Sequence, residues 1–140
     1  MKKTYVIDSN VLLEDADAIE ILRNGEENNV FLPETVINEL DNLKKDVKLR
    51  PSITKTSDKL IEKVNKIGVL KTSNKKFVSN DDKILDEIKS SNLENPILVT
   101  NDKILQFKAY KEGIESQEFL RSKPYSTLDE IYTGFVDISK

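Results

Sequence analysis

The sequence predicts an α/β fold, with a parallel sheet built from strands that alternate with helices. Three observations carry that expectation. Short apolar runs at Tyr5-Val6-Ile7, Val30-Phe31-Leu32 and Pro96-Ile97-Leu98-Val99 read as buried strands. Segments with helical apolar spacing separate them. The first and last runs each lead into a polar turn with an acid and then a helix, as Asp8-Ser9-Asn10 and Thr100-Asn101-Asp102. Strands joined through helices run parallel, with right-handed crossovers.

Taken in order, residues 4–7 form the first strand. Asn10–Leu13 open a helical stretch that Ala16–Leu22 continues. Residues 23–29 are polar, and Gly25 suits a helix stop. After the second strand, Pro33 fits the start of a helix because its missing N–H is no loss there. This helix is expected from about Glu34 to Val47, with Val36, Leu40, Leu43 and Val47 within about 60° of one another on one face. Glu39 lies at the edge of that stripe. Lys48-Leu49-Arg50-Pro51 breaks the pattern, and Ser52 is expected to cap a further helix. Its apolar face holds Ile53, Leu60, Ile61, Val64 and Ile67, with Gly68 as its stop and Val69-Leu70 as a short strand. Lys71–Ser79 reads as polar and mobile. Asn80 is expected to cap the next helix, whose stripe is Ile84, Leu85 and Ile88. Asp81 falls near the centre of that stripe and Asp82 roughly 110° away. Pro96–Val99 is a clear strand. A helix with Ile104, Leu105, Phe107 and Tyr110 follows to Gly113, and Ile114 opens a last short strand. Tyr125–Lys140 looks like an extended arm or linker.

Composition limits the chemistry. At 140 residues, one compact domain is the default. The chain has neither cysteine nor histidine. That excludes disulfides, thiolate metal sites, thiol nucleophiles and the usual general base near neutral pH. Met1-Lys2-Lys3 leads into a strand pattern, and no apolar run approaches the roughly 20 residues of a membrane span. An untargeted cytoplasmic chain with no membrane partner is expected. The net charge of -3 is unevenly placed. Residues 41–76 carry eleven Lys/Arg against four Asp/Glu, a net of +7, and the remainder carries eleven against twenty-one, a net of -10. A basic middle on an acidic body suggests a local anion-binding face, although lysine-rich helices are also ordinary solvated surface.

Four acids qualify for a shared site: Asp8 and Asp102 after strands, Glu39 and Asp81 near helix starts on buried edges. Each alone has a plain reading as a helix cap or a solvated side chain. Together they form a carboxylate cluster that needs a cation or raised pKa values. With oxygen donors only, the cation is a hard one, Mg²⁺ or Mn²⁺. Metal ions on carboxylates activate water and stabilise the anionic transition state of phosphodiester hydrolysis. Ser9, Asn10 and Thr100 are placed to orient ligands or a water. Only four glycines are present, and no glycine-rich phosphate loop is found among them.

The segments Val6–Leu12, Pro33–Asp41, Asn80–Leu85 and Leu98–Asp102, in that order, resemble the PIN-domain nucleases. Arg50-Pro51, the lysine-rich helix that follows and Tyr132-Thr133-Gly134 make the chain look most like the PIN domain found N-terminal to PhoH-like ATPases. The resemblance implies a Rossmann-like three-layer α/β/α sandwich over residues 1–124, with 125–140 as a C-terminal arm or linker. It implies a Mg²⁺- or Mn²⁺-dependent endoribonuclease acting on single-stranded RNA. Asp8, Glu39, Asp81 and Asp102 match the family's acidic residues, Asn10 its polar helper and Thr100 its hydroxyl. Ser9 stands where Thr is usual, and Asp82 stands where related sequences often have Asn. On this reading Asp8, Asp81 and Asp102 hold metal, and Glu39 is a further ligand or positions water. Lys44, Lys45, Lys48, Arg50, Lys55 and Lys59 contact RNA phosphates. The implied partners are single-stranded RNA and a C-terminal ATPase domain outside this chain, with homo-oligomerisation left open. The alternatives are a catalytically weak RNA-binding or regulatory module attached to such an ATPase and, further off, a haloacid-dehalogenase-type phosphatase, whose motif needs a second Asp where this chain has Asn10.

Overall fold

The computed structural model describes residues 2–72, 76–77 and 79–120. The expected arm at 125–140 and part of the polar stretch at Lys71–Ser79 lie outside the described residues. Five parallel strands form one sheet: β1 (Thr4–Ile7), β2 (Asn29–Pro33), β3 (Ile67–Leu70), β4 (Pro96–Val99) and β5 (Glu115–Gln117). Their order is β3-β2-β1-β4-β5. Six helices, α1 (Ser9–Glu14), α2 (Ala18–Arg23), α3 (Glu34–Leu43), α4 (Arg50–Glu62), α5 (Asn80–Ser90) and α6 (Lys103–Lys111), complete a three-layer α/β/α sandwich. β1 and β4 lie inside the sheet and are covered on both faces, so their apolar runs are continuous rather than alternating. Tyr5, Ile7, Leu12, Leu32, Ile84 and Leu98 are among the largest fully buried side chains, each worth roughly 1.5–3 kcal/mol for a residue of this size. Among the described residues, no helix is long and apolar enough to cross a membrane.

Element ends depart from the sequence pattern where side chains compete for backbone groups. The single stretch expected from Asn10 to Leu22 is two helices. Asp15 accepts from the Asp17 N–H at 3.0 Å with its side chain and from the Ala18 N–H at 3.0 Å with its carbonyl, and this turn separates α1 from α2. α2 stops on Asn24 and Gly25, both at positive φ (50° and 74°). α3 ends at Leu43 rather than Val47. Asp46 N–H bonds the Leu43 carbonyl at 2.9 Å and Lys48 N–H bonds the Asp46 carboxylate at 2.9 Å, so the chain turns into solvent and Val47 is 71 % exposed. α4 starts at Arg50 with Pro51 in its first turn, so Ser52 lies inside the helix and does not cap it. α4 ends at Glu62, and Ile61 and Val64 are exposed instead of packed. Gly68 is not a helix stop; it is a residue of β3, where a Cβ would stand 2.4 Å from the Phe31 ring. Ser79, not Asn80, caps α5, accepting from the Asp82 N–H at 3.2 Å. β5 begins one residue after Ile114. On α6, Leu105 and Ala109 face the core, whereas Ile104, Phe107 and Tyr110 face solvent.

Two buried polar side chains fix the elements that carry the site. Asn28 donates to the Leu22 carbonyl at 2.7 Å and accepts from the Lys3 N–H at 3.1 Å. That ties the end of α2 to the register of β2 against β1, in which Thr4 faces Asn29. Glu87 of α5 is 1 % exposed and accepts from the Thr35 N–H (3.2 Å), the Thr35 hydroxyl (2.6 Å) and the Thr72 hydroxyl (2.9 Å). The N-cap of α3 is Pro33, which has no side-chain capping bond. Glu87 therefore supplies from another helix the acceptor that the first turn of α3 lacks.

Replacing Glu87 by Ala leaves the two buried Thr35 donors and the hydroxyl of the exposed Thr72 without that acceptor. Glu87→Ala is expected to lower the unfolding free energy by roughly 1–3 kcal/mol. Glu87→Gln, which keeps one acceptor oxygen, should lose less. Urea titrations at neutral pH compare the two; an Ala variant with the wild-type midpoint would mean that water replaces the carboxylate without cost.

Candidate active site

The chain leaves β1 toward β2 and β3 on one side, then returns to β4 and β5 on the other. The carboxyl ends of β1 and β4 therefore border the point where the strand order reverses, which is where open α/β sheets bind ligands. Ile7 pairs with Val99, so the next residues, Asp8 and Thr100, stand side by side. Asp8 is 5 % exposed and caps α1. Its carboxylate accepts from the Ser9 N–H at 2.8 Å, Asn10 Nδ2 at 2.9 Å and Thr100 Oγ1 at 2.7 Å. These fill three of its roughly four acceptor positions. The Thr100 hydroxyl in turn accepts from the Asp102 N–H at 3.1 Å. The Asn10 carbonyl accepts from the Asn101 N–H at 3.2 Å, so one amide braces both strand ends.

The other acids arrive from three helices. Glu39 projects from α3, where its carboxylate accepts from Ser9 Oγ at 3.1 Å and Asn80 Nδ2 at 3.0 Å. Asp81 and Asp82 stand in the first turn of α5, each 3.8 Å from the Lys108 ammonium of α6. Asp102 caps α6, accepting from the Ile104 and Leu105 N–H groups at 2.9 and 3.2 Å. Burial, then the charge of Asp102, raise the pKa of Asp81 above its ordinary value, with Lys108 opposing and Asp82 adding to the rise. Asp8 is raised chiefly by burial, and also feels Glu39 and Asp81. The four sequence-derived acids are thus linked in a chain, Asp8 feeling Glu39 and Asp81, and Asp81 feeling Asp102. Among the described residues, however, no three are arranged to close on a single metal ion. Asp102 is turned back on its own helix, and Asp81 leans toward Lys108. The donor set is oxygen throughout, and two of its carboxyls are held above their normal pKa, partly by like charge. Both properties fit a hard divalent cation.

The basic residues are less uniform than their sequence suggests. Lys59 is held by Glu20 at 2.8 Å and Asp17 at 3.4 Å, with Glu62 at 3.7 Å, and these carboxylates keep its pKa well above the usual lysine range. It ties α4 to α2. Lys44 pairs with Asp41 at 2.7 Å. Lys45, Lys48, Arg50 and Lys55 are exposed. Sequence reasoning did not find the roles of Asn80, Lys108, Asn101 or Glu87. Asn80 was read as a cap, and its bond to Glu39 spans 41 residues. No local pattern signals such a contact.

A family model described as "PIN domain" matches residues 5–120. Protein PhoH2 of Bacillus subtilis (strain 168) is 28 % identical over an alignment that includes 99 % of this chain but 37 % of the relative. The chain thus spans little more than a third of that relative's length. Among solved structures, a domain of a functionally unknown protein from Methanocaldococcus jannaschii DSM 2661 superimposes with a TM-score of 0.61 at 23 % identity, covering 84 % of this chain and 91 % of that one. VapBC2 from Rickettsia felis, bound to a promoter DNA fragment, gives 0.54 at 15 % identity, covering 82 % and 98 %. The PIN domain of human SMG5 gives 0.53 at 20 % identity, covering 82 % and 91 %. At these identities the structural likeness concerns the fold.

Burial raises the Asp8 carboxyl from 3.8 to about 6. Between those values the folded chain keeps the proton that the unfolded chain releases. Stability therefore falls as pH rises through that window, by up to about 3 kcal/mol at ~1.4 kcal/mol per unit. Asp8→Asn cannot ionise. In EDTA it is expected to be more stable than wild type at pH 8, by on the order of 1–3 kcal/mol, and to lose that advantage by pH 4. Urea unfolding at the two pH values measures this; an equal advantage at both would rule out buried charge as its cause.

Proposed function

The chain belongs to the PIN-domain family, and on that premise we propose that it is a metal-dependent endoribonuclease that hydrolyses phosphodiester bonds of single-stranded RNA. PIN domains are typically metal-dependent nucleases. The observation that carries the reading is the meeting of Asp8, Glu39, Asp81 and Asp102 at the seam between β1 and β4. Asp8, Asp81 and Asp102 would hold Mg²⁺ or Mn²⁺, with Glu39 as a further ligand or as the group that orients the attacking water. A bound divalent ion would lower the pKa of that water and neutralise charge on the phosphodiester. The chain's own residues supply orientation. Ser9, Asn10 and Thr100 fix the Asp8 carboxylate by three donors, so its remaining lone pair has one direction. Asp82 shares Lys108 with Asp81 and keeps that lysine at the edge of the cluster.

Lys44, Lys45, Lys48, Arg50 and Lys55 would meet backbone phosphates, a sequence-independent attraction that weakens with salt. Lys59 would contribute at most its field, since its ammonium is already paired. We assign residues 1–124 to the nuclease unit and 125–140 to an arm or linker, in keeping with the family match over 5–120. The 37 % coverage of PhoH2 favours an ATPase partner in the C-terminal direction, and a lack of cysteine agrees with a cytoplasmic setting. The same coverage, with carboxylates not yet closed on one ion, favours a second reading: an RNA-binding or regulatory module whose activity depends on that partner.

Incubation of single-stranded RNA with the chain and Mg²⁺ or Mn²⁺ should give cleavage that EDTA abolishes. Asp8→Asn is expected to lose more than the roughly 10–100-fold that removal of a group behind a ligand costs, and Thr100→Val to lose about that amount. Cleavage by Asp8→Asn at the wild-type rate would end the nuclease assignment. RNA binding without any cleavage by wild type would favour the module.

A further inference from the structure

Beside the carboxylate cluster, on the far side of Glu39, a cavity of about 470 Å³ opens between α3 and the first turn of α5. It lies within the size range of small-ligand sites, roughly 300–1,000 Å³. Every described side chain that lines it is polar. Two of these, Thr35 and Thr72, have their hydroxyls committed to Glu87. The uncommitted groups are amides and one cation. Asn38 and Asn42 stand one turn apart on the exposed face of α3, and their side-chain amides have no hydrogen-bond partner among the described residues. Asn80 spends its N–H on Glu39 and keeps its carbonyl. Lys83 lies at the wall with no ion pair among the described residues.

Charge decides what kind of ligand fits. Asp41 is already paired with Lys44 at 2.7 Å, so among the described residues Glu39 and Lys83 leave the lining close to neutral, and neither a free inorganic anion nor a free cation is favoured. A neutral ligand with donors and acceptors side by side is favoured, because each carboxamide offers both. That is the pattern on the edge of a nucleobase. Among the described residues no aromatic side chain lines the cavity, so a base here is held by its edge and not by stacking. The carboxylates and the Asn80 carbonyl only accept, which favours bases with an exocyclic amine over uracil.

We propose that this cavity binds one unpaired nucleobase of the substrate strand next to the scissile phosphodiester, read by Asn38, Asn42 and Asn80, with adenine preferred and uracil least favoured. The proposal rests on the nuclease reading for its substrate, because the cavity shares Glu39 with the proposed catalytic cluster. Adenine ranks first because it offers a carboxamide an amine beside a ring nitrogen on two edges, N6 with N1 and N6 with N7, whereas cytosine offers one such edge.

The test reads binding rather than cleavage. The ¹⁵N-labelled chain in EDTA is titrated with AMP, CMP, GMP, UMP and, as a base-free control, ribose 5-phosphate, while the side-chain amide signals of Asn38, Asn42 and Asn80 are followed by NMR. AMP is expected to move all three signals and to bind at least about fivefold more tightly than UMP. The double variant Asn38→Ala, Asn42→Ala should bind AMP and UMP alike. Signals that do not move, or that move equally with ribose 5-phosphate, overturn the proposal. A chain that cuts RNA but shows no shift loses the base site alone. A chain that shifts with AMP but never cuts loses the nuclease reading and keeps the base site.

Discussion

The hydrogen bond from Thr100 Oγ1 to Asp8 Oδ2, 2.7 Å long, closes the seam on which the rest of the site depends. It exists because β1 and β4 pair in parallel with Ile7 opposite Val99. A slip of one residue would turn every side chain on one strand to the opposite face, and Asp8 would no longer meet Thr100. The bond is also the centre of a small lattice. Thr100 passes its acceptor side to the Asp102 N–H, and Asn10 spans from Asp8 to the Asn101 N–H. The Asp8 and Thr100 N–H groups still bond the Val99 and Gln117 carbonyls at 3.0 Å, and beyond them the Ser9, Asn101 and Asp102 N–H groups find side-chain acceptors. The helices α1 and α6 start from that lattice, and Asp8 and Asp102 cap them.

The two buried carboxylates among the described residues illustrate opposite uses of the same group. Glu87 and Asp8 each accept three hydrogen bonds. Glu87 acts as a strut that holds the start of α3. Asp8 has Glu39 and Asp81 in electrostatic reach, and those charges add to its desolvation. A strut gains nothing from like charges. A site that must attract a cation does, because the stored repulsion is released on binding. On the proposed reading, the free energy that Asp8 costs the fold is the counterpart of that affinity.

How much of this was legible in the sequence depends on what each feature rests on. β1 and β4 were legible because both their faces are buried, which leaves no alternation to blur the run. Asp8 was legible because the residue after such a strand has a fixed place in the fold, and Asp102 because it stands in the short turn between such a strand and the next helix. Glu39 and Asp81 followed from helical angles against Val36 and Ile84, which hold while the helix is regular. Helix ends were not legible, because Asp15 and Asp46 take backbone donors that propensity assigns to the helix. The apolar sequence Ile61, Val64, Ile67 misled for a different reason: α4 stops at Glu62, and Ile67 belongs to a strand. Lys59 looked like any surface lysine until α2 brought Asp17 and Glu20 to it.

α3 links these pieces, and its order along one axis explains why. Its first turn is tied by Thr35 to Glu87, its middle carries Glu39 to the seam, and Asn38 and Asn42 line the polar cavity. Lys44 and Lys45 follow where the helix gives way to a turn. At about 1.5 Å per residue, Glu39 stands about 6 Å before Leu43, the last residue of the helix. On the proposed reading, one rigid element therefore presents a water-orienting carboxylate and a base-reading pair of amides, and the turn after it presents the phosphate-binding lysines. The spacing of the acid and the amides is set by helix geometry, so the anchor at Glu87 positions both. A change at Thr35 or Glu87 would shift the acid and the amides together. A change at Asn42 would leave the acid where it is.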